Sequence, residues 1–271
     1  MGVNGMPFLN DISLGQYFPL DSFFHRLDPR TKLISVLSLM TGLLVSFRTL
    51  PLLLFFVVTI IFIYASRLPL FLVLRNVRPF IWLFLLTLLV HMFLTQGRVI
   101  LRIPYFDWTI TAEGIRLGAV YSCRLFLLII IAALLTLTTS PVELTDGLER
   151  LLKPLKRFKI PVHEIVMMLT LSLRFIPTLL EEAQRIKNAQ LSRGVSFEGS
   201  LLNRVKNIVP LILPLFFSAF RRADELAMAM DSRCYTGGEG RTSYFSLSFR
   251  TADILILFVS LLLIPAALLF R

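Results

Sequence analysis

Apolar residues fall in long runs along this chain, separated by short polar turns, and the run length points to helices crossing a bilayer. Stretches at Lys32–Phe47, Leu50–Ala65, Phe80–Leu94, Ile115–Thr136 and Ile254–Phe270 approach the roughly 20 residues that span a hydrocarbon layer. Between the fourth and fifth stretches the pattern changes. From Ser140 to Arg250 apolar positions recur on one side of segments that are otherwise charged, which predicts amphipathic helices. The expected fold is an all-α integral membrane protein with about five transmembrane helices and an inserted domain of three helices, two of them long and crossing. Its expected organisation is 1–138 (a polar N-terminal segment and four spans), 139–250 (the inserted helices) and 251–271 (the last span). The first 30 residues are polar and turn-rich, without the apolar centre of a secretory signal.

The inserted segment opens on Ser140-Pro141-Val142-Glu143, which reads as a capping box with proline at the first helical position. A second helix is predicted from Val162 to Ser192 and a third from Leu201 to Arg233. Each is apolar in its first half and charged in its second. They end on AQLSRGVSF (Ala189–Phe197) and AMDSRCYTG (Ala229–Gly237), with Arg193 and Arg233 forty residues apart. Superposed on those arginines, Ala183 matches Ala223, Ala189 matches Ala229 and Ser192 matches Ser232. Small residues permit close helix approach, so the two helices are expected to cross near these alanines. Pro177, Pro210 and Pro214 should bend them. Either arginine alone is accounted for by the helix dipole and by snorkelling. A matched pair on a matched scaffold admits a functional reading equally.

Composition supports the membrane reading: 56% of residues are hydrophobic and 17% charged, against about 45–50% and about 25% in soluble domains. The net charge of +11 is distributed as membrane orientation requires rather than as a nucleic-acid footprint. Arg26, Arg30 and Lys32 precede the first span, Arg67, Arg75 and Arg78 follow the second, and Arg150, Lys153, Lys156, Arg157 and Lys159 follow the fourth. The positive-inside rule then places the N-terminus and the insertion in the cytoplasm. Cys123 and Cys234 are too isolated for a disulfide framework, and His25, His91 and His163 have no metal-ligand spacing. Gly237–Tyr244 lacks the spacing and lysine of a phosphate loop. No cofactor, metal or covalent catalysis is expected. Arg124, inside the fourth span, is open to a functional reading and to snorkelling.

GQYFPLDSFFHRLDPRTKL (Gly15–Leu33), SPVELTDGLERLLKPLKRFKIP (Ser140–Pro161) and the two Ser-Arg endings resemble the T component of energy-coupling factor transporters, the EcfT family. The resemblance covers nearly the whole chain. It implies a non-catalytic membrane subunit of a prokaryotic ATP-binding-cassette importer for a vitamin or metal ion. Such a subunit joins two cytoplasmic ATPases to a small membrane S component that binds the substrate. The insertion would then be a cytoplasmic coupling domain. Two short signatures, typically Ala-Arg-Gly in the family, match Ser192-Arg193-Gly194 and Ser232-Arg233-Cys234, and the resemblance makes these the ATPase-docking residues. Both lack the alanine and the second lacks the glycine. The alternative is a self-contained transporter or channel carrying solute through its own spans. That reading, like an intramembrane enzyme, calls for polar residues at depth, which spans one, two and five barely contain.

Overall fold

The structure is a computed structural model, which describes residues 17–18, 20–46, 49–103, 108–195, 201–237 and 249–269. Its elements are α1 (Pro29–Val45), α2 (Thr49–Ser66), α3 (Leu70–Val77), α4 (Ile81–Leu94), β1 (Val99–Ile103), β2 (Trp108–Thr111), α5 (Ala112–Thr138), α6 (Pro141–Leu152), α7 (Val162–Ser192), α8 (Leu201–Asp231) and α9 (Thr251–Leu269). The chain forms two compact units, one of Gln16–Gly147 with Leu247–Arg271 and one of Met1–Gly15 with Leu148–Ser246.

The first unit is built around α5. Helix α4 packs antiparallel on it, since Phe84 lies by Ser122, Leu88 by Gly118 and His91 by Gly114. The approach is close enough to need glycine. A Cβ on Gly114 would stand 2.5 Å from the His91 carbonyl oxygen, and one on Gly118 would stand 3.1 Å from that of Leu88. Leu39, Leu43, Leu52, Phe55, Leu127, Ile131, Leu263 and Ala267 form one buried cluster, and Ile63, Leu68, Val73, Val77, Ile130, Leu134 and Leu137 a second. Outside these clusters the apolar surface is open. Leu53, Val57 and Ile61, one turn apart on α2, are 65%, 54% and 55% exposed. Such a stripe would drive aggregation in water and is what a lipid-facing helix requires.

Three features depart from the sequence-based expectation. The third span begins earlier than Phe80: α3, a 3₁₀ turn at Arg78–Phe80 and α4 run on as one stretch, Leu70–Leu94. Arg75 and Arg78 give this region the look of a basic loop, yet α3 buries Val73 and Val77, one turn apart, while Arg75 within it and Arg78 just after it are exposed. In addition, β1 and β2 pair as an antiparallel ribbon before α5, where β-branched and aromatic residues outweigh helix formers. Helix α7 is also long and apolar enough to cross a membrane. Its apolar first half sets that property, although the sequence reading assigns the whole helix to the cytoplasmic insertion.

The helix starts follow the residues that predict them. Asp28 caps α1, accepting from the Arg30 N–H at 2.9 Å, with Pro29 in the first turn. Ser140 and Glu143 form the capping box of α6, the Glu143 N–H donating to Ser140 Oγ at 3.2 Å and the Ser140 N–H to Glu143 Oε2 at 3.3 Å. Arg124 is buried, donates through Nη2 to the carbonyl of Ser46 and lies 5.1 Å from the centre of the Tyr121 ring. Ser46 is the C-cap of α1, so the intramembrane arginine neutralises the negative end of a helix.

Around Asp28 a polar knot ties distant parts of this unit together. The Asp28 N–H donates to Asp253 Oδ1 at 2.9 Å, and the Arg250 N–H to Asp253 Oδ2 at 2.8 Å. Lys32 Nζ donates to the carbonyls of His25 at 3.2 Å and Thr138 at 3.0 Å. The starts of α1 and α9 are thereby joined to each other, and α1 to the end of α5. His25 Nε2 stands 3.0 Å from the Phe18 carbonyl, which only accepts, so that nitrogen carries the proton and Ser22 Oγ donates to Nδ1 at 2.6 Å. Burial lowers the His25 pKa, in keeping with a neutral ring. Asp253 is completely buried. Its replacement by Ala should leave the buried Asp28 N–H without an acceptor and cost on the order of 2–4 kcal/mol in thermal unfolding of the purified protein. Asp253→Asn, which keeps one carbonyl oxygen, should cost less. Equal stability of Asp253→Ala and the native chain would contradict this role.

Candidate functional site

Helices α7 and α8 each contain 31 residues, and they stop in the same way. At the end of α7 the Val195 N–H donates to the Gln190 carbonyl at 3.1 Å and the Gly194 N–H to that of Leu191 at 2.9 Å. At the end of α8 the Tyr235 N–H donates to Met230 at 3.1 Å and the Cys234 N–H to Asp231 at 2.9 Å. These are two Schellman caps, displaced by forty residues, with Arg193 and Arg233 at the cap position just past the last helical turn and just before the left-handed residue. Each cap needs a left-handed residue after the arginine. Gly194 supplies it with φ +84°, and Cys234 adopts it with φ +55°. The missing glycine of the second ending therefore changes the strain and not the shape.

The serines fold back onto their own helices, Ser192 Oγ donating to the Asn188 carbonyl at 3.1 Å and Ser232 Oγ to that of Ala229 at 3.0 Å. Ser192, Arg193, Gly194, Ser232, Arg233 and Cys234 are all exposed. Among the described residues neither arginine takes part in an ion pair or side-chain hydrogen bond. Since the caps satisfy the last carbonyls with backbone N–H groups, the guanidinium groups stay available to an outside partner.

The helices meet eleven residues before each arginine. Arg222 Nη2 lies 3.5 Å from Glu182 Oε2, and these residues are themselves forty apart. At about 1.5 Å of rise per residue, each arginine stands about 16 Å along its helix from this contact. Ala183 and Ala223 adjoin this pair in sequence; Ala183 is half-buried and Ala223 exposed. Ala189 and Ala229 are exposed as well. The contact thus runs through charged side chains beside the first alanine pair, while the second pair leaves open surface one turn before each arginine. His163 Nδ1 and Glu149 Oε1, 2.8 Å apart, hold the start of α7 to α6.

The two caps make opposite predictions. A Cβ on Gly194 meets nothing within 4 Å, so Gly194→Ala carries a conformational cost alone, about 1 kcal/mol. Cys234→Gly removes the left-handed strain and should gain about 0.5–1 kcal/mol, the larger freedom of glycine in the open state offsetting the rest. Amide exchange should accelerate at Val195 in the first variant and slow at Tyr235 in the second. The same direction in both would contradict a shared cap.

Residues 21–244 match the family described as cobalt transport protein, CbiQ. Curated relatives include the energy-coupling factor transporter transmembrane protein EcfT of Heliobacterium modesticaldum, 56% identical over 238 residues, covering 86% of this chain and 88% of that protein. The EcfT of Acidaminococcus fermentans is 48% identical over 250 residues, covering 91% and 92%. That of Bacillus subtilis is 44% identical over 264 residues, covering 97% and 98%. With the family match over most of its residues and this identity along nearly its whole length, the chain belongs to the EcfT family, the multi-pass transmembrane components of energy-coupling factor transporters.

Proposed function

We propose that this chain is the non-catalytic coupling subunit of its transporter, and that Arg193 and Arg233 each dock in a groove of one of two cytoplasmic ATP-binding-cassette ATPases. The observation that carries this reading is the twin cap: the same turn, with an exposed arginine at the same position, at the ends of two helices of equal length. A planar guanidinium engages a carboxylate bidentately in a partly desolvated groove. The open surface at Ala189 and Ala229 lets a groove wall come close to the helix beside each charge. Leu191 and Gly194 on one end correspond, forty residues on, to Asp231 and Cys234 on the other, a difference suited to two unlike ATPases.

Closure of the ATPases on ATP would draw the two ends together. The contact at Glu182 and Arg222 then acts as the pivot of the pair. The apolar halves of α7 and α8, where Ile165, Met168, Ile212 and Phe216 are exposed, would transmit the motion to an S component that binds a vitamin or a metal ion. The N-terminus and the coupling domain 139–250 lie on the cytoplasmic side of the plasma membrane in this reading. A solute path through the chain's own spans finds less support, because the cavity between α2, α3 and α5 is lined by Phe56, Ile60, Leu70, Val73 and Phe126.

Arg193→Glu or Arg233→Glu should weaken ATPase binding while the membrane fold persists. Removing one partner of a desolvated charge pair costs on the order of 2–5 kcal/mol, and reversal adds repulsion. Each single variant should keep partial assembly and lose most uptake, and the double variant should fail to assemble in pull-down. Surface charges serving only the helix dipole would lose about 0.3–1 kcal/mol, with uptake intact. Native uptake by the double variant would therefore overturn the docking role.

A further inference from the structure

Between α6 and α7 the chain forms a 3₁₀ helix, Lys153–Phe158, that ends on Lys159 in the left-handed conformation, φ +59°. With three residues per turn, side chains three apart line up in rows. One row holds Lys153 and Lys156. The next continues Leu152 and Leu155, both half-buried, and ends on Phe158, which is 78% exposed. Lys153, Lys156, Arg157 and Lys159, its neighbours along this turn, are all exposed. No acidic residue occurs from Arg150 to His163, and Glu149, which precedes this stretch, is engaged by His163 at 2.8 Å. Among the described residues none of Lys153, Lys156, Arg157 and Lys159 takes part in an ion pair, so the tip gathers four exposed cations next to an exposed aromatic side chain in the chain.

Water disfavours such a ring, and an apolar protein groove disfavours the cations around it. A membrane surface accepts both, taking an aromatic ring into the headgroup boundary while Lys and Arg reach phosphate. The tip also follows span α5, which ends at Thr138, by only the length of α6 and a turn, the position at which basic clusters meet anionic lipid. We infer that the tip at Lys153–Lys159 is an anchor for anionic phospholipid, with Phe158 inserted at the headgroup level and Lys153, Lys156, Arg157 and Lys159 on the phosphates. The anchor restrains the junction between α6 and α7 against the bilayer and stands independently of the docking role of the two arginines.

Fluorescence tests this directly. The chain's two tryptophans are Trp82 and Trp108. With both replaced by Phe, Phe158→Trp places a single reporter at the tip of the full-length chain in proteoliposomes. Quenching by brominated phosphatidylglycerol should exceed quenching by brominated phosphatidylcholine at least about twofold at low ionic strength, and neutralising Lys153, Lys156, Arg157 and Lys159 to Ala should abolish the difference. Absence of quenching by either lipid would place the ring in water and overturn the inference. Equal quenching by both lipids with the cations intact would refute the anionic preference. Loss of quenching on assembly with the ATPases would identify the tip as a protein contact instead.

Discussion

A helix that presents an arginine at its cap must stop there, and the end must be closed without using the arginine. The Schellman cap meets this constraint through two backbone hydrogen bonds and one left-handed residue. In α7 the left-handed residue is Gly194 and in α8 it is Cys234, where an L side chain accepts conformational strain to hold the same turn. Without the cap the final carbonyls of each helix would be left to water or to side-chain donors, a guanidinium group among them. With it, Arg193 and Arg233 are free for a partner and point from equivalent frames. The paired site thus depends on backbone geometry more than on the residues that surround the arginines.

The spanning unit rests on a different device. Its helices bury modest apolar clusters and leave wide surfaces open to lipid, so little hydrophobic force specifies how the helix starts are arranged. Polar groups do this work instead. Asp253 accepts from Asp28 and Arg250, Lys32 reaches the end of α5, and Arg124 holds the end of α1. A polar bond in such surroundings is hard to exchange for water, which makes it a good specifier of position. The knot lies at the start of α1 and α9, while Arg124 pins the other end of α1 to α5.

Periodicity and capping chemistry made much of this fold legible in the sequence. The Ser140–Glu143 box and the limits of α7 follow from local rules, because the residues that decide them are neighbours in the chain. What escaped the sequence has two kinds of physical origin. The partner of Asp28 lies more than two hundred residues away, and nothing local signals that Asp253 turns inward. Helix α3 was obscured because Arg75 within its eight residues and Arg78 just after them adjoin an apolar face, so that composition and periodicity gave opposite answers. At the candidate site, the offset of forty residues revealed the matched arginines and serines. The identical cap was not visible there, since Cys234 carries no sign that it will adopt a left-handed conformation. Nor were the exposed positions of Ala189 and Ala229, because small size alone does not say which face of a helix is covered.

Paired docking implies that both helix ends sit in ATPase grooves at once. A photo-activated benzoylphenylalanine placed at Ser192, and separately at Ser232, reads that occupancy in the assembled transporter without removing either arginine. Irradiation should trap an ATPase subunit from each position, with comparable yields from the two ends. Cross-links from one position only, or products containing lipid or this chain alone, would contradict the paired role of Arg193 and Arg233.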